Sequence, residues 1–260
     1  MRDVLGNSRT SLEFDERIVP DETDQGIVSV HLKRYVFASP LCRSKQVLDV
    51  ACGTGYGTYY LAAFVERVVG VDRSQEAIAY AKRRYGDPKA EFYVMDACEL
   101  AFQHESFDLV CSFETIEHLG DVGAYLKGVV RVLRPDGLYL VSTPCVKRST
   151  RAPQNPFHTQ EWSPRDFKAL LETRFASVRL FGQRRRQSAL HRFLQRADMF
   201  HLHTKISFPA FTKRLSRAVG TTPFADMSLE DLEIIENHLQ GAMWMVGICS
   251  GPRKMGRESL

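Results

Sequence analysis

Several classes are excluded by what the chain lacks. No apolar run approaches the roughly 18 residues that a membrane-spanning helix needs. The opening Met1-Arg2-Asp3-Val4 has none of the hydrophobic region of an export signal, so a cytoplasmic protein is expected. The six cysteines (Cys42, Cys52, Cys98, Cys111, Cys145, Cys249) include no Cys-x-x-Cys pair, which argues against a zinc knuckle and a disulfide framework and for buried free thiols. Internal repeats and low-complexity tracts are absent. Excess charge of one sign is scarce: 35 Lys and Arg against 31 Asp and Glu leave +4, too little by itself to imply a polyanionic partner. What is present, 260 residues of which 44% are hydrophobic and 25% charged, suits a globular chain with a sizeable core.

The most informative stretch is Val47-Leu48-Asp49-Val50-Ala51-Cys52-Gly53-Thr54-Gly55-Tyr56-Gly57. An apolar run ending in alternate glycines reads as a buried parallel strand handing over to a helix, with the backbone passing close to a ligand. Strand and helix periods then alternate. Strands are expected at 47–50, 68–71 ending at Asp72, 91–95 ending at Asp96, 107–113, 138–142, 178–181 and 243–249. Helices are expected at 27–38, stopped by Pro40, at 56–65, at 74–85 with Ser74 as cap, at 119–133, and from Ser163-Pro164 to about Phe175. Such a series winds into an α/β fold: a doubly wound, mostly parallel seven-stranded sheet with helices on both faces. The expected division is a loose arm over 1–23, a core over 24–183, a helical lid inserted over 184–241, and the last strand and tail over 242–260.

In open sheets the ligand lies beyond the carboxyl ends of the strands. Three strand ends carry suitable groups: the glycine turn for close approach, Asp72 to accept from ribose hydroxyls, and Asp96 with Ala97 to meet an exocyclic amine. A dinucleotide enzyme also places glycines and an acid here, but the Gly-x-Gly-x-Gly spacing departs from Gly-x-Gly-x-x-Gly. Val47 to Gly55, Gly70-Val71-Asp72 and Arg131-Val132-Leu133-Arg134-Pro135-Asp136-Gly137 resemble three motifs of the class I S-adenosylmethionine-dependent methyltransferases, over roughly 27–181. The resemblance implies S-adenosylmethionine as cofactor. It places Asp72, with its neighbour Arg73, at the ribose, Asp96 and Ala97 at the adenine, Gly53, Thr54 and Gly55 at the backbone approach, and Phe113 beside the methionine moiety. Asp49 belongs to the same motif. Inside the first strand it is expected to fix the turn by accepting backbone N–H bonds.

The acceptor is expected after the fourth strand, at Phe113-Glu114-Thr115-Ile116-Glu117-His118-Leu119. A helical turn there would put Glu114, Glu117 and His118 on one face. With His158 of the unpatterned segment 143–161, they form a candidate set for a divalent metal, Mg²⁺ or Mn²⁺. Metal-free catalysis is the competing reading. His158 would then act as general base, with His118 and Glu114 as further catalytic candidates, since an imidazole titrating near pH ~6.5 can take a hydroxyl proton. Glu-x-x-Glu-His looks like the metal-binding pattern of small-RNA 2′-O-methyltransferases and occurs in ubiquinone-pathway O-methyltransferases. Phe-Glu-Thr-Ile-Glu-His-Leu, Ser-Thr-Pro and Asn-Pro-Phe-His resemble bacterial methyltransferases of surface polysaccharide and glycolipid synthesis. That likeness implies an oxygen acceptor on a sugar, a glycolipid precursor or a glycosylated natural product. The alternatives are an RNA 2′-hydroxyl, a quinone-precursor phenol, an NAD-dependent oxidoreductase, and a non-catalytic nucleoside-binding protein.

Between Gln183 and Arg217 nine Arg and Lys residues face one acid, Asp198, a local net charge of +8. Leu190, Phe193, Leu194, Ala197 and Phe200 run through this segment as an apolar stripe. A basic amphipathic helix of this kind can lie on an anionic membrane, bind a phosphate-bearing acceptor, follow a nucleic-acid backbone, or pack as a lid with its charges solvated. The expected partner is a small-molecule or glycan acceptor, with nucleic acid disfavoured. The acidic residues after Ser228 suggest one more helix.

Overall fold

The computed structural model describes residues 17–186 and 223–253. Its centre is an eight-stranded mixed sheet in the order β3-β2-β1-β4-β5-β8-β6-β7. The strands are β1 (Gln46–Val50), β2 (Arg67–Asp72), β3 (Ala90–Val94), β4 (Phe107–Phe113), β5 (Leu133–Pro144), β6 (Phe175–Arg185), β7 (Leu232–Glu236) and β8 (Trp244–Pro252). The run from β3 to β5 is parallel, while β8 pairs antiparallel with both β5 and β6.

Helices α1 (Gln25–Cys42), α2 (Tyr56–Ala62), α3 (Gln75–Arg84), α4 (Val122–Val132) and α5 (Pro164–Glu172) cover the two faces. Neighbouring residues of one strand feed opposite cores, as period-2 geometry requires. Val47 packs with Tyr35, Ala38 and Leu61, whereas Leu48 packs with Leu126, Val129 and Phe167. The expected caps form: Ser74 accepts from the Ala77 N–H, and Ser163 from that of Asp166. The helix expected over 119–133 starts later, at Val122, because Asp121 caps it through the Ala124 N–H at 2.8 Å.

Three differences from the sequence reading have physical causes. Helix α1 continues past Pro40 to Cys42. The carbonyl that the proline cannot serve, that of Val36, is met by the Ser39 hydroxyl at 3.0 Å. The acidic segment after Ser228 makes one 3-10 turn and then strand β7, which gives the sheet its eighth member. Its acids face arginines of β6, with Glu233 on Arg184 at 2.8 Å and Glu236 on Arg179 at 2.6 Å. Lastly, the described end of the arm that was expected to be loose is anchored: Ile18 and Val19 are buried, and the Thr54 hydroxyl donates to the Ile18 carbonyl at 2.6 Å. Beyond Arg186, the basic amphipathic segment lies outside the described residues.

Candidate active site

A cleft of about 530 Å³ opens at the carboxyl ends of the parallel strands, where the winding reverses between β1 and β4. One half is built on the glycine turn. Gly53 has φ +56°, and a Cβ there would meet nothing within 4 Å, so the backbone lies open to the cleft. The other two glycines serve packing. A Cβ on Gly55 would stand 2.7 Å from Ala81 and Phe92, and one on Gly57 would enter the Tyr35 ring at 2.0 Å.

Asp72 is almost fully buried and fixed at both oxygens: Oδ2 accepts the Gly53 N–H at 3.0 Å and Oδ1 that of Ser74 at 2.9 Å. The Arg17 guanidinium lies 3.4 Å from Oδ1 and brings the N-terminal arm across this end. Arg73, Asp96, Ala97 and Phe113 line the same half. Asp96 takes the Cys98 N–H at 2.7 Å and otherwise faces solvent. Phe113 stands edge-on to Tyr35 at 5.0 Å. Thr54 lines the cleft with its hydroxyl committed to Ile18.

Asp49 does not line this cleft. It is fully buried behind it, accepting from the hydroxyls of Thr58 at 2.6 Å and Tyr35 at 3.2 Å and from the Cys111 thiol at 3.5 Å. The backbone N–H expected to bond Asp49 goes to Asp72 instead. Burial raises the Asp49 carboxyl to about 6, against the hydrogen bonds that favour its charge.

The other half follows β4. Residues Ile116–His118 form a single 3-10 turn, and Glu114 precedes it with φ 53°. Glu114 lines the same cleft as Glu117 and His118 but stands outside the group that they form with His158. Its Oε1 accepts from the Ser142 hydroxyl at 2.8 Å and lies 3.5 Å from Arg34. Glu117, His118 and His158 do converge, with potential ligand atoms all within 4.8 Å of one another. Glu117 is fully buried, and neither carboxyl oxygen makes a well-formed hydrogen bond, the Thr143 hydroxyl being the side chain that favours its charge. Burial first, and the charge of Glu114 second, hold its carboxyl well above the usual range.

The segment expected to be unpatterned is held firmly over the strand ends. Thr150 and Glu161 form an isolated bridge, and Thr159 donates to the Glu117 carbonyl through both its N–H, at 2.7 Å, and its hydroxyl, at 3.0 Å. Inside this frame Asn155 accepts the Phe157 N–H at 3.0 Å, an Asx turn. His158 then sits with Nδ1 2.7 Å from Glu161 Oε1 and Nε2 3.0 Å from the Asn155 amide nitrogen. His118 donates from Nδ1 to the Phe157 carbonyl at 3.0 Å, and its ring meets His158 edge to face at 4.9 Å.

Sequence reasoning passed over His31, Arg34, Tyr56 and Trp244. His31, Tyr56 and Trp244 line the cleft; Arg34 is buried behind it. The Arg34 guanidinium lies 5.2 Å over the Trp244 ring. Burial, then the charge of Arg34, push the His31 imidazole well below its usual value and keep it neutral. A charge within the apolar spacing of α1 was the one available signal.

Residues 48–141 match a family model described as a methyltransferase domain. Over 197 residues the chain is 31% identical to a probable S-adenosylmethionine-dependent methyltransferase of Mycolicibacterium smegmatis, covering 75% of this chain and 72% of that one. The chain belongs to the S-adenosylmethionine-dependent methyltransferases. A probable member from Mycobacterium tuberculosis is 34% identical over 172 residues, 64% of this chain; the match spans 62% of that relative's length. The same fold occurs in a Thermotoga maritima methyltransferase described as a possible histamine N-methyltransferase, with TM-score 0.59 and 15% identity over 88% of this chain and 91% of that one. For a methyltransferase of this family, the open backbone at Gly53 and the fixed carboxylate of Asp72 suit a nucleoside cofactor with a ribose diol.

Proposed function

We propose that this methyltransferase acts on a hydroxyl oxygen of a sugar, a glycolipid precursor or a glycosylated natural product, with His158 as general base. The observation that carries this reading is the placement of His158 on the cleft wall, held through Nδ1 by a carboxylate. S-adenosylmethionine, when bound, supplies an electrophilic methyl group. Asp72 and Arg73 hold the ribose end, Asp96 and Ala97 meet the adenine, Gly53, Thr54 and Gly55 form the turn beneath it, and Phe113 flanks the methionine part. His158 Nε2 would take the proton of the acceptor hydroxyl, which frees the oxygen's electron pair for the methyl group that the cofactor would supply. His118 keeps the loop in place through the Phe157 carbonyl. Glu114 shapes the wall through Ser142 and Arg34. Phe157, nearly half exposed at 47%, offers its ring face to an acceptor ring.

A second reading is supported by the buried carboxyl of Glu117 beside two imidazoles. Glu117, His118 and His158 would hold Mn²⁺ or, less readily because of the two imidazoles, Mg²⁺. The metal would lower the pKa of the acceptor hydroxyl. Glu114 is not part of that set, being held by Ser142 and Arg34.

No helix among the described residues is long and apolar enough to cross a membrane. Contact of the basic segment 184–217 with an anionic lipid surface belongs to the same proposal, since a glycolipid precursor would lie there. The test is transfer from S-[methyl-13C]adenosylmethionine to nucleotide sugars, glycolipid precursors, catechol, RNA ends and a primary amine, with and without EDTA. The carbon shift of the product distinguishes O-methyl from N-methyl. Exclusive N-methylation contradicts the reading, and transfer undiminished by EDTA removes only the metal.

A further inference from the structure

We propose that Glu161 and Asn155 are positioning residues that lock His158 in the Nδ1–H tautomer, leaving the Nε2 lone pair for the acceptor. The inference rests on His158 being the base, and two independent contacts lead to it. The first is on the Nδ1 side: Glu161 Oε1 lies 2.7 Å away, and an ionised carboxylate only accepts, so Nδ1 carries the hydrogen. The second comes from the backbone. Asn155 Oδ1 accepts the Phe157 N–H at 3.0 Å, which fixes which end of the amide is oxygen. The amide nitrogen is then the atom 3.0 Å from Nε2. Two donors cannot face each other at that distance, so Nε2 must be the acceptor. Both contacts select the same tautomer.

The local frame makes the lock stiff. Glu161 exchanges both backbone hydrogen bonds with Thr150 at 2.9 Å, so the carboxylate projects from a fixed point. The His158 N–H bonds the Asn155 carbonyl at 3.2 Å, which closes the turn that carries the imidazole. Both side chains are largely shielded, with relative exposures of 10% for His158 and 15% for Glu161, so water competes poorly for the pair. Asn155 holds the Nε2 lone pair in the absence of acceptor and yields it to the incoming hydroxyl. Glu161 remains on Nδ1 and stabilises the imidazolium once the proton has moved, as the carboxylate of a catalytic triad does for its histidine.

The test reads the tautomer directly. Full-length protein labelled with 15N-histidine is examined by long-range 1H–15N correlation at a pH where the imidazole is neutral, and His158 is assigned by the signals lost in His158→Gln. The wild type is expected to show the Nδ1–H pattern. Glu161→Gln keeps a carbonyl acceptor without the charge and retains that pattern. Removing both contacts in Glu161→Ala/Asn155→Ala shifts His158 toward Nε2–H. Should the double variant fail to fold by thermal melt, the wild-type spectrum carries the test, since either contact left by a single alanine substitution still selects Nδ1–H. An Nε2–H pattern in the wild type, or an unchanged tautomer when the contacts are removed, overturns the lock. Failure of the base reading is separate: it shows as undiminished methyl transfer by His158→Ala, whatever the tautomer.

Discussion

Asp72, the last residue of β2, accepts the N–H of Gly53, in the turn that follows β1, at 3.0 Å. One carboxylate thus joins two adjacent strand ends and shapes the turn beneath the cofactor cleft. Its other oxygen is held by Ser74, so in the proposed role at a ribose diol the side chain would have little conformational entropy left to lose. Asp72→Ala should weaken S-adenosylmethionine binding by about 100-fold, which is roughly 2–3 kcal/mol for charge-assisted hydrogen bonds. Calorimetric titration measures it, and a loss under threefold would remove Asp72 from the site.

The glycines of the turn should respond differently to alanine. At Gly57 the new methyl meets the Tyr35 ring at 2.0 Å, and overpacking of this kind costs about 1–3 kcal/mol. At Gly53 it meets nothing but carries the strain of φ +56°, about 1 kcal/mol. Gly57→Ala should therefore lower Tm by more than Gly53→Ala, while Gly53→Ala, whose methyl enters the cleft, should weaken cofactor binding. Paired melting curves and titrations distinguish the two.

The arm at residues 17–23 depends on the bond from Thr54 to the Ile18 carbonyl. Thr54→Val keeps the side-chain shape and leaves that carbonyl without its partner, a loss of about 1–2 kcal/mol. Limited proteolysis should cut the variant near Ile18 faster than the wild type. Equal rates would mean that the packing of Ile18 and Val19 and the Arg17–Asp72 pair hold the arm without this bond.

Asp49 sets a pH dependence of stability. Its carboxyl is raised from 3.8 to about 6 on folding, so the folded state holds the proton more tightly than the unfolded chain. Stability is highest below about pH 4 as far as this group is concerned, and falls as pH rises through the window to about 6. The cost at neutral pH is roughly 3 kcal/mol at 1.36 kcal/mol per unit. Asp49→Asn should flatten the dependence of the urea midpoint on pH between 4 and 7. A slope equal to that of the wild type would contradict the assignment.

The parallel half of the fold was legible in the sequence because each element carries its own signal. Strand β4 has the bounds that its apolar run implied, and Ser74 and Ser163 cap the helices they precede. The glycine turn and Asp72 come together because both lie at strand ends in register, Val50 beside Val71. What was not legible depends on partners distant in sequence. Residues after Ser228 are acidic and suit a helix in isolation, but the arginines of β6 and the edge of the sheet make Leu232–Glu236 a strand. Trp244 and Arg34 meet only because β8 returns beside β5. Glu114 was grouped with Glu117 and His118 on the assumption of a continuous helical turn. The left-handed backbone at Glu114 and the bond to Ser142 keep it out of the Glu117, His118 and His158 group, although it lines the same cleft.

The most direct test compares His158→Ala with the wild type for both cofactor binding and methyl transfer to the oxygen acceptor that the wild type uses. With His158 as the base, the variant keeps its S-adenosylmethionine affinity and transfers methyl about 10²- to 10⁴-fold more slowly, the usual contribution of general-base catalysis. Transfer at the wild-type rate in His158→Ala would contradict that role.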